Sequence, residues 1–199
     1  MLSPRKLSFY TKKNKAQNYR FRSWLKFHAD PEDLDQRFLR LHRELFAGYD
    51  CSRCRNCCKQ YYGAVPKSDI ESDAAALGMS VTDFITKYLQ DQMDEVEQAY
   101  STKNKPCDFL QEDGSCLLGD HKPENCKMYP FTDQPDRMGS LLSFLDKISI
   151  CPVAYEIWER LKKELVAHVN RKEYRQLWND YTEGKITGTE LTNILYKQK

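Results

Sequence analysis

No run of about 18 consecutive apolar residues occurs in the 199-residue chain, so nothing in it reads as a membrane span. The first residues lack the apolar stretch of a secretory signal, and a cytoplasmic protein is expected. The eight glycines form no Gly-x-Gly and no Gly-x-x-x-x-Gly-Lys, which removes a dinucleotide fingerprint and a phosphate loop. There is no Gly-x-Ser-x-Gly elbow for an acyl-transfer serine. Histidine is scarce, with four residues, and a hydrolytic zinc site built on histidine and carboxylate is not expected.

What the chain does have is cysteine. Eight are present, and four fall within Cys51-Ser52-Arg53-Cys54-Arg55-Asn56-Cys57-Cys58. A spacing of three lets one turn of backbone aim two sulfurs at a common centre, as in metal-thiolate knuckles. Cys57 and Cys58 are adjacent and their side chains should diverge, so one of them is expected to serve a second metal or to bridge two. Cys107, Cys116, Cys126 and Cys151 come later and must be returned to the first group by the fold. Eight thiols suffice for two four-thiolate sites, or for one iron–sulfur cluster with thiols to spare. In a reducing compartment this pattern points to metal ligation rather than to disulfides.

The rest of the chain predicts mainly α structure with a small β-hairpin: an irregular cysteine-rich metal-binding core flanked by helices. Residues 1–30 read as a basic arm and 31–199 as a single domain, with the cysteine core over about 50–155 and helices after it. Asp30 as cap, Pro31 at the first position, Leu34, Phe38, Leu41 and Leu45 at helical spacing and Gly48 as stop define a helix that delivers the chain to Cys51. Gln60–Val65 suggests a short strand, 67–77 a short helix closed by Gly78, and Ser80 with Asp83 the cap of a helix running to about residue 98. Glu112-Asp113-Gly114 predicts a tight turn pairing the strands of a 107–118 hairpin that bear Cys107 and Cys116. Leu141–Ile150 reads as a strand or buried loop, and Pro152 starts a helix with Cys151 near its cap, where the partial positive charge favours a thiolate. Asn170 with Glu173 resembles a capping box. His42 and His168 belong to helices, and His121, the histidine nearest the cysteines in this reading, is left unused by all-cysteine ligation.

In this order, Cys51-x-x-Cys54-x-x-Cys57-Cys58, Pro106-Cys107, Cys116, Pro123-x-x-Cys126 with Tyr129-Pro130-Phe131, and Cys151 resemble the CxxCxxCC cysteine-cluster proteins, the YkgJ-like zinc- or iron-chelating family. The resemblance covers residues 50–155 and implies metal chelation by Cys51, Cys54, Cys57, Cys58, Cys107, Cys116, Cys126 and Cys151, but no particular reaction. Some flagellin lysine methylases are similar in their cysteine cluster, which makes an accessory role in protein lysine methylation the weakest reading.

Two functions stay open. One is an iron or iron–sulfur protein with a redox or metal-dependent role, since Cys51, Cys54 and Cys57 imitate a ferredoxin run and Cys151-Pro152 its distant ligand. The imitation is incomplete, because Tyr61 stands where the next cysteine belongs. The other is a structural zinc module in an interaction protein. Separately, Lys12, Lys13, Lys15, Arg20 and Arg22 with Phe9, Tyr10, Tyr19, Phe21, Trp24 and Phe27 make the arm either a nucleic-acid contact or a segment packed on the acidic remainder of the chain.

Overall fold

The computed structural model describes residues 1–165 and 171–195. His168 and Asn170, placed above on a helix and at its cap, lie outside them. The elements run α1 (Pro4–Lys13), α2 (Lys15–His28), α3 (Pro31–Phe46), α4 (Cys51–Cys54), α5 (Asn56–Gln60), β1 (Ala64–Pro66), α6 (Ile70–Ala76), α7 (Val81–Tyr88), β2 (Leu89–Asp94), β3 (Ala99–Thr102), α8 (Glu124–Met128), α9 (Arg137–Lys147), α10 (Pro152–Leu165), α11 (Arg171–Thr182) and α12 (Gly188–Leu195). The protein is mainly α with one small antiparallel sheet of order β1-β3-β2. No helix among the described residues is long and apolar enough to cross a membrane. The chain divides into two compact units, Met1–Leu45 with Asp133–Lys199, and Phe46–Thr132.

The first unit is all helical. α10 supplies its most buried face, with Val153, Ala154, Ile157, Trp158 and Leu161 at 0 % exposure. Phe21 meets the Trp158 ring edge-on at 4.9 Å, and Phe38 meets Phe144 at 5.0 Å, so the aromatic rings of α2, α3, α9 and α10 interlock. Phe21 and Trp24 of the basic N-terminal stretch are therefore core residues, whereas Phe9, Tyr19 and Phe27 remain exposed. Helix ends follow local chemistry: the Asp30 carboxylate accepts the Asp33 N–H at 2.8 Å ahead of Pro31. Asp35 reaches from α3 to accept the Asp136 and Arg137 N–H groups at 2.9 and 2.8 Å, which caps α9. With that anchor, and with the Asp136 carboxylate on the Gly139 N–H at 3.2 Å, α9 carries 141–147 and 148–150 form a turn, where the composition suggests a strand or buried loop.

The second unit packs Val65, Ile70, Ala74, Phe84, Tyr88, Leu89, Phe109 and Leu118 into its own core, with Cys107 and Cys116 against it. Ser80 caps α7 through the Asp83 N–H at 3.1 Å, as its sequence indicates. The helix stops at Tyr88, ten residues short of the expectation. Leu89 turns into β2 and is buried opposite Thr102, and Val96, expected on an apolar face, is 94 % exposed near the tip of the β2–β3 hairpin. The hairpin thus lies at 89–102. At 107–118 the Asp-Gly turn forms but leaves one isolated bridge, Leu110 to Cys116. Here Leu110 N–H donates back to Cys107 O at 2.9 Å, which coils the chain where strands were expected.

Candidate metal centre

Seven of the eight cysteines lie in the second unit, and none of the eight is in a disulfide. The Asp50 carboxylate starts α4 by accepting the Ser52 N–H at 2.8 Å. One turn later Arg55 adopts a left-handed conformation, φ 47°, and its N–H closes on Cys51 O at 3.1 Å. This reversal separates α4 from α5 and redirects Cys57 and Cys58. Their sulfurs lie 4.0 Å apart, so the divergence expected of neighbours is undone. A tetrahedral site with metal–sulfur bonds of about 2.3 Å has sulfurs roughly 3.8 Å apart.

Long-range backbone bonds bring the later cysteines in. Cys107 N–H donates to Cys58 O at 2.8 Å, and Thr102 N–H to Gly63 O at 2.8 Å. The Gly63 N–H returns to the Thr102 hydroxyl at 2.8 Å. A side chain at 63 would put its Cβ 2.8 Å from the Cys107 sulfur, so glycine is required for this approach. Gly114, at φ +85°, brings the 111–115 turn against α4, where a Cβ would sit 3.0 Å from Ser52 O. Pro123 opens the turn of α8, and its carbonyl accepts the Cys126 N–H at 2.9 Å.

The outcome is a cavity of about 30 Å³ lined by Cys58, Cys107, Cys116 and Cys126 together with Arg55 and Lys122. Among the described residues, no three histidine, cysteine or carboxylate side chains already stand at holding distance around one ion. The thiols ring the cavity without converging on a point. Cys51 and Cys54 sit on α4 outside this ring, with Cys51 exposed. Cys151 belongs to the first unit, buried at the N-cap of α10, where its carbonyl accepts the Tyr155 N–H at 2.9 Å.

The surroundings favour negative sulfur at Cys58 and, on balance, oppose it at Cys107, Cys116 and Cys126. Burial pushes the Cys107, Cys116 and Cys126 thiols up, but each also receives a backbone N–H, from Phe109, Leu118 and Ala64 respectively, which pulls the other way. The Cys58 thiol is drawn down to about 6, first by its hydrogen bond with Cys57 and then, against burial, by Lys122 and Arg55. Arg55 Nε is buried with no hydrogen-bond partner among the described residues, a cationic donor at a cavity lined by thiols. Soft donors, amide N–H groups on three sulfurs and two cations fit a thiolate-bound metal.

Arg55 and Lys122 escaped the sequence reading, and the histidine beside Lys122 drew attention instead. His121 is turned to buried Asp73, with Nδ1 to Oδ1 at 3.8 Å. The available signal was positional: Arg55 lies inside the cysteine knuckle and Lys122 four residues before Cys126. Of known families, the CxxCxxCC profile, described as "Putative zinc- or iron-chelating domain", matches residues 50–152. No curated protein and no solved structure matches the chain.

Proposed function

The chain belongs to the CxxCxxCC family of zinc- or iron-chelating domains, and from that premise we propose that Cys58, Cys107, Cys116 and Cys126 hold one ion, zinc or iron, which locks the second unit. The observation that carries this reading is the four-thiol cavity whose sulfurs take backbone N–H groups from Phe109, Leu118 and Ala64. Bound there, the ion would supply a closed, all-sulfur cross-link, the chemistry of structural sites rather than of catalytic ones that keep an open position. Four thiols line the cavity, the number that one tetrahedral ion takes. Eight cysteines outside disulfides suit a reducing compartment such as the cytoplasm.

A second reading, an iron–sulfur cluster with a redox role, draws support from the 4.0 Å Cys57–Cys58 separation, which sets the Cys57 thiol beside a thiol of the cavity. Anaerobic purification followed by metal and acid-labile sulfide analysis with a visible spectrum separates the two. One metal per chain without sulfide is expected, lost in Cys116→Ser and Cys126→Ser. Labile sulfide with visible absorption selects the cluster, and full metal content in both variants removes the four-thiol assignment.

A further inference from the structure

The first unit holds a second cavity, of about 220 Å³, lined by Thr11, Lys12, Lys15, Asn18, Tyr19, Leu145, Asp146 and Ser149. Its back wall is Asn18, which is 2 % exposed. The Asn18 amide oxygen accepts two donors, Trp158 Nε1–H at 3.0 Å and Lys162 Nζ at 3.2 Å. Both need an acceptor, which fixes the orientation of the amide and leaves its NH2 as the end without a partner among the described residues. That group sits in a residue lining the cavity, one turn into α2, a 14-residue helix whose N-terminus no side chain caps. Lys12 and Lys15 line the cavity, the Lys15 ammonium lying over the Tyr19 ring at 5.9 Å, and among the described residues neither enters an ion pair. The Thr11 and Ser149 hydroxyls are committed as donors, to Ile148 O at 3.4 Å and to Asp146 O at 2.6 Å. A buried amide donor and two lysines therefore line one space, opposed by the carboxylate of Asp146 and by the C-terminal turns of α1 and α9 beside it.

The geometry points to a binding site for a small organic phosphate, its phosphoryl group held by Lys12, Lys15 and the Asn18 NH2, and a hydroxyl or ammonium of the same molecule donated to Asp146. The cavity has room for a phosphoryl group and a few attached atoms, and is smaller than a pocket for a drug-sized ligand. The site is independent of the thiols and needs no metal.

Titration of the full chain with glycerol 3-phosphate, with inorganic phosphate and glycerol as controls, reads it directly through the Trp158 indole N–H resonance, because that group is bonded to Asn18. A saturable shift with glycerol 3-phosphate and none with glycerol is expected. Apparent affinity should fall about tenfold in Asn18→Asp, which keeps the acceptor and replaces the NH2 with an anionic oxygen. Lys12→Ala/Lys15→Ala alters exposed positions only, and should lose a similar factor with an unchanged thermal midpoint. Equal response to inorganic phosphate supports the phosphoryl site alone, and a stronger one to glycerol 3-phosphate also supports the Asp146 contact. No shift at millimolar ligand, a shift that persists in the double lysine variant, or binding confined to duplex DNA overturns the proposal.

Discussion

The Cys57 and Cys58 sulfurs lie 4.0 Å apart although the residues are sequence neighbours. Both lie in α5, which begins after the left-handed turn at Arg55. Cys57 is thereby the main cause of the lowered Cys58 pKa. A depressed thiol pKa contributes stability that is present above its ordinary value and is lost as pH falls through about 6. In metal-free, reduced protein, Cys57→Ala should move the onset of Cys58 alkylation to higher pH. The check is the pH dependence of Cys58 labelling by mass spectrometry; an unmoved profile would assign the shift to Lys122 and Arg55.

Gly63→Ala should be costly, because its Cβ would meet the Cys107 sulfur at 2.8 Å and Thr102 Cγ2 at 2.9 Å. Neither neighbour can retreat, since Thr102 is fully buried and bonded to the Gly63 N–H. Overpacking of this kind costs about 1–3 kcal/mol. Gly48→Ala meets nothing within 4 Å and serves as the neutral control. Urea unfolding of the two variants makes the comparison, and equal midpoints would contradict the packing argument.

Asp73 is a buried acid, its carboxyl 2 % exposed, with Oδ2 lacking a hydrogen-bond partner and His121 3.8 Å from Oδ1. Burial first, then Asp69, raises its pKa, with His121 opposing. A raised carboxyl pKa favours folding below the unfolded value, and that contribution is lost as pH rises through the folded one. Asp73→Asn should accordingly be more stable than the parent at pH 7, by a margin that shrinks toward pH 4. A variant less stable at pH 7 would show that the His121 contact outweighs desolvation.

Where one local rule acts alone, the sequence states the structure. Asp30-Pro31, Ser80 with Asp83 and Cys151-Pro152 each begin a helix where capping chemistry puts it. The failures lie where a distant partner decides. Leu89 leaves its helical period because pairing with Thr102 buries it, and α9 depends on a carboxylate a hundred residues away. The cysteines announce themselves by spacing, yet the ring at the cavity comes from Cys107 N–H to Cys58 O and from the contact at Gly63, neither of which periodicity encodes.

Loss of the metal should loosen one side of the second unit and leave the other folded. Its apolar core draws on β1, α6, α7, β2 and the buried Phe109 and Leu118, with Cys107 and Cys116 only partly buried against its edge. α4, α5 and α8 contribute no buried residue. Those three short helices have four or five residues each, too few to persist alone in water. Structural zinc in small modules contributes about 10–16 kcal/mol of apparent binding free energy at neutral pH, comparable with the stability of a whole domain. With the ion removed, trypsin should cut first at Arg53, Arg55, Lys59 and Lys127, which lie in or next to α4, α5 and α8. Lys87 in α7 and Arg37 in α3 should stay protected, the latter held by Asp33 at 2.7 Å and Glu164 at 3.0 Å. Circular dichroism should fall only slightly, because the long helices belong to the first unit. Chelated parent and Cys116→Ser should give the same early fragments. Identical digestion of metal-loaded and chelated protein would mean that the thiols do not hold the fold, and the cavity would then be a site that carries an ion without depending on it.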